Sequence, residues 1–285
     1  MTTRDLLVDG LLVDGLFVDG LGPCPVAMEE LGPNDAAVVL LIHGSGPGAS
    51  AAGAWRLTLP GLAEHYRVIA PDLLGFGKSP AAPDGRHDRE RWTAQLRAVL
   101  DAIDAPRVHL VGSSLGGGLA LHLALQEPDR VDRLALISPL GSAFPITQGL
   151  ERVWGYQPSL PAMDALMHTF VYDTSVISAD IVQLRYDNSL LTQQAYSAMF
   201  PAPRQRWVDE YVVTSQQASR ITRPTLIVHG CDDQVVPLSS SRALQAALPS
   251  ADLLEITQCG HWAQIEHADQ VNAAIIDFFD HKPEG

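Results

Sequence analysis

Short runs of β-branched and aliphatic residues recur along the chain from Ala36 onward: Val38-Val39-Leu40-Leu41-Ile42, Arg67-Val68-Ile69-Ala70, Val108-His109-Leu110-Val111, Leu134-Ala135-Leu136-Ile137, Thr225-Leu226-Ile227-Val228 and Leu253-Leu254-Glu255-Ile256. Their apolarity is continuous, not alternating, which predicts strands buried on both faces, as in a parallel sheet covered by helices. Between them, residues 88–103, 114–126, 239–247 and 268–279 carry apolar positions at helical spacing. This alternation predicts an α/β fold built on an open, doubly wound, mostly parallel sheet.

The rhythm breaks between residues 141 and 222. That stretch lacks a parallel-strand run and reads as several helices punctuated by Pro145, Pro158, Pro161, Pro201 and Pro203. It is expected to be a helical lid inserted near the carboxyl edge of the sheet, where open α/β sheets bind their ligands. Residues 21–140 and 223–285 would then form the core. Residues 1–20 differ again, with three pentads in succession: Leu6-Leu7-Val8-Asp9-Gly10, Leu11-Leu12-Val13-Asp14-Gly15 and Leu16-Phe17-Val18-Asp19-Gly20. Three short copies are too few for a solenoid. They are expected to be an extended or disordered leader, with only the last copy joining the fold.

Composition narrows the function. Nineteen basic against 33 acidic residues leave a net charge of −14, and no local basic patch interrupts it. Such a field repels phosphate, which excludes a general nucleic-acid or anionic-membrane binder and leaves a small molecule as the expected partner. No run of about 18 apolar residues occurs, and no unbroken apolar stretch follows Arg4, so neither a membrane span nor a signal peptide is expected. Cys24, Cys231 and Cys259 show neither an even count nor metal-ligand spacing. They argue against a disulfide framework or zinc site and suit a reducing, cytoplasmic setting.

The candidate chemistry begins at Gly112-Ser113-Ser114-Leu115-Gly116, between a predicted strand and a predicted helix. G-x-S-x-G in that context makes a sharp turn that lifts the central serine to the sheet edge, so Ser114 is the candidate nucleophile. A phosphate-binding reading fails, because neither GxGxxG nor GxxxxGK[ST] is present. A serine hydroxyl needs a base, and the base an orienting acid. In this kind of fold they follow in the order acid, then histidine. Asp232 and Asp233 follow one buried strand; His261, on Gln258-Cys259-Gly260-His261-Trp262, follows the next. The oxyanion donors would be the N–H groups of Leu115 and of the loop His43-Gly44-Ser45-Gly46-Pro47-Gly48, with Ser45 the candidate. His43 is expected to brace that turn; the other histidines read as packed or exposed.

These residues resemble the α/β-hydrolase fold, and within it the meta-cleavage-product hydrolases, the carbon–carbon bond hydrolases of aromatic-ring degradation. The resemblance covers residues 25–280. It is carried by Leu41-Ile42-His43-Gly44-Ser45-Gly46-Pro47-Gly48-Ala49, by Cys259-Gly260-His261-Trp262-Ala263-Gln264 with Glu266-His267, and by lid residues Phe170-Val171-Tyr172-Asp173, Asp180-Ile181-Val182 and Arg185-Tyr186. It implies a Ser114–His261–Asp233 triad, Asp233 being preferred to Asp232 by its place before Pro237. It further implies that Arg185 holds a substrate carboxylate, that Phe170 and Trp262 line the pocket, that no metal or organic cofactor takes part, and that the protein forms a homodimer or higher homo-oligomer.

The implied substrate is a 2-hydroxy-6-oxo-hexa-2,4-dienoate-type ring-fission product, cleaved to a hydroxypentadienoate and a carboxylic acid. The chain departs from the family at Ser113 and Ala54, where asparagines that contact the substrate's polar end are usual. A carboxylesterase, lactonase or thioesterase using the same triad is therefore the alternative, and a non-catalytic ligand receptor a more distant one. For Arg185 the competing expectation is a lid-surface pair with Asp180 or Asp187.

Overall fold

A computed structural model describes residues 11–18, 21–103 and 105–281. It contains strands β1 (Leu11–Val18), β2 (Gly22–Leu31), β3 (Val38–Ile42), β4 (Arg67–Pro71), β5 (Val108–Ser113), β6 (Val131–Ile137), β7 (Thr225–Gly230) and β8 (Ala251–Ile256). They form one sheet in the order β1-β2-β4-β3-β5-β6-β7-β8. From β4 to β8 every pairing is parallel, whereas β1 and β2 join antiparallel. All six predicted runs are strands of the parallel part.

The helices are α1 (Ala51–Ala54), α2 (Thr58–Ala63), α3 (Arg89–Ala102), α4 (Leu115–Gln126), α5 (Gln148–Trp154), α6 (Leu160–Phe170), α7 (Ala179–Leu191), α8 (Gln193–Met199), α9 (Gln205–Glu210), α10 (Ser215–Ala218), α11 (Leu238–Ala247), α12 (Ala263–Glu266) and α13 (Ala268–Asp280). The six from α5 to α10 lie between β6 and β7, within the stretch expected to be helical.

Strand β3 shows why continuous apolarity means burial on both faces. Val38, Leu40 and Ile42 pack into a core with Trp92, Leu96 and Val99 of α3 and Leu115 and Leu119 of α4. Val39 and Leu41, pointing the other way, pack with Leu59 and Leu62 of α2 and Val271 and Ile275 of α13. Side chains alternate along a strand, so two apolar faces require two helical layers.

The leader departs from expectation. The second pentad and the first three residues of the third form β1, paired along β2 from Leu11 opposite Met28 to Val18 opposite Gly22. The register shifts between Val13 and Leu16, across Asp14-Gly15. That Asp-Gly therefore sits in a strand irregularity and not in a hairpin turn, a place glycine also favours. The first pentad and Asp19-Gly20 lie outside the described residues.

Candidate active site

The site residues sit after the carboxyl ends of β3, β5, β7 and β8. Ser114 follows β5 directly, with φ 57° and ψ −120°, a left-handed backbone rarely taken by a residue other than glycine. Its strain is held in place by close packing. A Cβ on Gly112 would lie 2.4 Å from Gly116 O, and one on Gly116 would lie 2.1 Å from Ile42 O. The two glycines let α4 approach β5 and β3 closely enough to hold the serine at the turn.

Leu115 opens α4, so its N–H has no intrahelical acceptor and is a donor beside Ser114. The Ser45 loop comes against the same serine: a Cβ on Gly44 would lie 3.1 Å from Ser114 Cβ and 3.7 Å from Ser114 Oγ. Ser45 is buried, and its Oγ accepts from Trp154 Nε1 of α5 at 2.9 Å. His43 braces this loop as expected, its Nε2 accepting from Leu73 N at 3.0 Å.

His261 lines the same cavity as Ser114 and is paired with Asp233. His261 Nδ1 donates to Asp233 Oδ2 at 2.7 Å, with the Asp233 side chain fully buried. Asp233 Oδ1 accepts from the N–H groups of Val235 and Val236 at 2.7 and 3.0 Å. Burial alone would raise the Asp233 pKa. The His261 charge and the hydrogen bonds from His229 and His261 outweigh burial and hold it well below the carboxylate range. Asp232 is exposed, so the geometry separates two acids that adjacency left open.

Ser45, Ser113, Ser114, Phe170, Arg185, His261 and Trp262 all line one cavity of about 170 Å³, beneath α5, α6 and α7. Phe170 stacks on Trp262, with ring centroids 4.4 Å apart and planes 12° from parallel, and the Arg185 guanidinium lies 5.5 Å from the Trp262 ring centroid. Arg185 Nε donates to Pro47 O at 2.7 Å, which aims the side chain into the cavity and away from the lid surface. Asp187, one of the partners considered for it, instead accepts from Gln183. Ala54 and Ser113, the two positions where the resemblance leads to an expectation of asparagine, both line the cavity.

Other groups of the site had no role assigned from the sequence, although Gln264 and Glu266 lie in the motif that carries the resemblance. Arg56 and Gln264 line the cavity. His229, which read as a packed histidine, places Nε2 3.3 Å from Asp233 Oδ2. Glu266 gathers the N–H groups of Gly260, Tyr172 and Asp173, tying the histidine loop to the lid. Among the described residues no cluster of His, Cys, Asp and Glu is placed to hold a metal ion, no helix is long and apolar enough to cross a membrane, and the three cysteines are free.

A buried Asp–His pair beside a serine on a strained strand-to-helix turn, on this sheet, defines a serine hydrolase of α/β-hydrolase type. The chain matches the α/β hydrolase fold family over residues 37–268. It belongs, within that fold, to the meta-cleavage product hydrolases. It is 44% identical over 242 residues to 2-hydroxymuconate semialdehyde hydrolase of Pseudomonas sp. strain CF600, covering 84% of this chain and 86% of that protein. It is 46% identical over 242 residues to 2-hydroxy-6-oxo-2,4-heptadienoate hydrolase of Pseudomonas putida, covering 84% and 88%. The solved meta-cleavage product hydrolase of Pseudomonas fluorescens, an alanine variant complexed with acetates, superimposes with a TM-score of 0.89 at 40% identity, covering 94% of this chain and 97% of that one.

Proposed function

We propose that the protein hydrolyses the C5–C6 bond of a 2-hydroxy-6-oxo-hexa-2,4-dienoate-type substrate, with Ser114 as nucleophile, His261 as base and Asp233 as its orienting acid. Bond order requires a first step. The dienol must become the 2,6-dioxo-3-enoate, because only then can the electron pair of the breaking C5–C6 bond run through C4 and C3 to the C2 oxygen. Arg185, whose terminal nitrogens have no hydrogen-bond partner among the described residues, takes the C1 carboxylate and fixes C6 over the serine.

His261 Nε2 then takes the Ser114 proton as Oγ attacks C6, while Asp233 holds Nδ1–H and stabilises the imidazolium. The C6 oxyanion falls to the N–H groups of Leu115 and Ser45. Collapse breaks C5–C6, and the carbanion leaves as the dienolate, which takes the proton held by the His261 imidazolium to give 2-hydroxypenta-2,4-dienoate and returns His261 to its neutral form. Water, deprotonated by His261, hydrolyses the acyl-Ser114 and releases the carboxylic acid. The lid keeps bulk water from the dienolate, and the free cysteines suit the cytoplasmic setting expected from composition.

The observation that carries this reading is the placement on one cavity of Ser114, His261 and an Arg185 that has no carboxylate partner among the described residues. The test is bleaching of a yellow ring-fission dienolate. Wild-type protein should remove the colour, and Ser114→Ala and His261→Ala should lose at least a thousandfold in kcat. Persistent colour with rapid turnover of p-nitrophenyl esters would instead make the protein an esterase.

A further inference from the structure

Two guanidiniums face the cavity, and among the described residues no Asp or Glu lines it. The second belongs to Arg56, just past α1, whose hydrogen bonding is a single long contact from Nη1 to Gly53 O at 3.4 Å. Among the described residues neither Arg56 nor Arg185 has a carboxylate partner. Burial lowers the pKa of both, bringing Arg185 to about 10, and the Arg56 charge pushes Arg185 in the same direction.

Two like charges taken out of water against one cavity destabilise the fold unless an anion joins them. In a protein of net charge −14, carboxylates are abundant, yet none is supplied here. Gln264, 2% exposed, adds an amide oxygen with no hydrogen-bond partner to the same cavity. The cavity is therefore built for a ligand that is anionic and carries a donor as well, which matches a 2-hydroxy acid.

We infer that Arg56 is a second specificity-determining cation, acting with Arg185 on the C1 carboxylate and C2 oxygen of the substrate. The inference rests on the C–C hydrolase reading, since in that reaction the electron pair released from C5–C6 ends on the C2 oxygen. A guanidinium near that oxygen is worth more as its charge grows. It also gives an anionic substrate a charged donor in a cavity where Ala54 and Ser113 offer no amide.

The experiment compares Arg56→Met and Arg56→Lys with wild type on a ring-fission dienoate and on p-nitrophenyl acetate. For Arg56→Met, kcat/KM on the dienoate should fall on the order of tenfold to a hundredfold further than on the neutral ester. Arg56→Lys should recover a large part of that difference. Equal losses on both substrates, or none, would overturn the inference. A separate arm titrates benzoate into the Ser114→Ala protein and into its Arg56→Met derivative by calorimetry. Weaker binding by tenfold or more in the double variant supports the anion site even if the wild type bleaches no dienoate, which would sink only the C–C reading. Unchanged benzoate affinity counts against Arg56 whatever the reaction, and a cooperative melt of each variant shows that it has folded.

Discussion

His229 Nε2 lies 3.3 Å from Asp233 Oδ2, the same oxygen that receives His261 Nδ1 at 2.7 Å. The tautomer of His229 follows from its other contacts. Nε2 also faces Val236 O at 3.0 Å, a group that can only accept, so Nε2 carries the proton. Nδ1 then accepts from the Ser241 hydroxyl at 2.6 Å. The chain Ser241, His229, Asp233 thus fixes the acid's carboxylate plane, as second-layer hydrogen bonds do in many catalytic sites.

His229→Leu should leave Asp233 with one donor fewer and free to turn. A loss of roughly 1.5 to 3 kcal/mol in transition-state stabilisation is expected, on the order of tenfold to a hundredfold in kcat, with KM little moved. Steady-state kinetics at fixed pH checks the split. Ser241→Ala should do the same more weakly, because His229 keeps its bond to Val236 O.

Stability should depend on acid through Asp233. Its pKa is lowered in the fold, so the unfolded chain takes up a proton near the ordinary value of 3.8 while the folded protein does not. The stabilisation is complete above that value and is lost progressively as pH falls toward the lower folded value. Urea unfolding between pH 5 and 3 should show wild-type stability dropping more steeply than that of Asp233→Asn, which has no such proton to take up. Parallel slopes would remove Asp233 as the source.

What could be read in the chain before its structure was whatever depends on local order. The runs at residues 38–42 and 225–228 are apolar throughout because helices cover both faces, and Gly112 and Gly116 stand where a Cβ would strike backbone. Strand β2 was hidden, because Pro23 and Pro25 break the expected pattern and the strand joins antiparallel near the sheet edge. His229 and Arg56 were hidden for another reason. Asp233 and Ser241 follow His229 by only four and twelve residues, but nothing in that local order says that the ring turns toward the carboxylate, and the cavity that Arg56 shares with Arg185 forms only in the fold.

The helical segment between β6 and β7 also reaches the Ser45 loop. Trp154 stacks on Phe200 with centroids 4.8 Å apart while its Nε1 donates to Ser45 Oγ. Trp154→Phe keeps an aromatic ring and removes the donor. The loop should lose its tether, lowering kcat about fivefold to thirtyfold, in line with one hydrogen bond of about 1 to 2 kcal/mol. The thermal midpoint should move by only a few degrees, and a fall in kcat with an unchanged melt is the result that supports the tether.

Glu266 offers the sharpest test of coupling between lid and histidine. Its Oε2 accepts Gly260 N–H at 2.7 Å, immediately before His261 in the chain. Its Oε1 accepts the N–H groups of Tyr172 and Asp173, at 2.7 and 2.9 Å, where the chain leaves α6. A carboxylate is acceptor at both oxygens, whereas an amide has one acceptor and two donors. Glu266→Gln therefore sets an NH2 group against N–H groups on one side whichever way it turns. If that side is the lid, the segment at Tyr172 should open and become a site of early proteolysis; if it is the histidine loop, kcat should fall with the lid intact. Both effects are expected to some degree, since the amide can flip, and limited proteolysis run beside kinetics separates them. Glu266→Gln matching wild type in both measurements would mean that Trp262 N–H to Phe170 O, at 3.1 Å, is by itself enough to join the two segments.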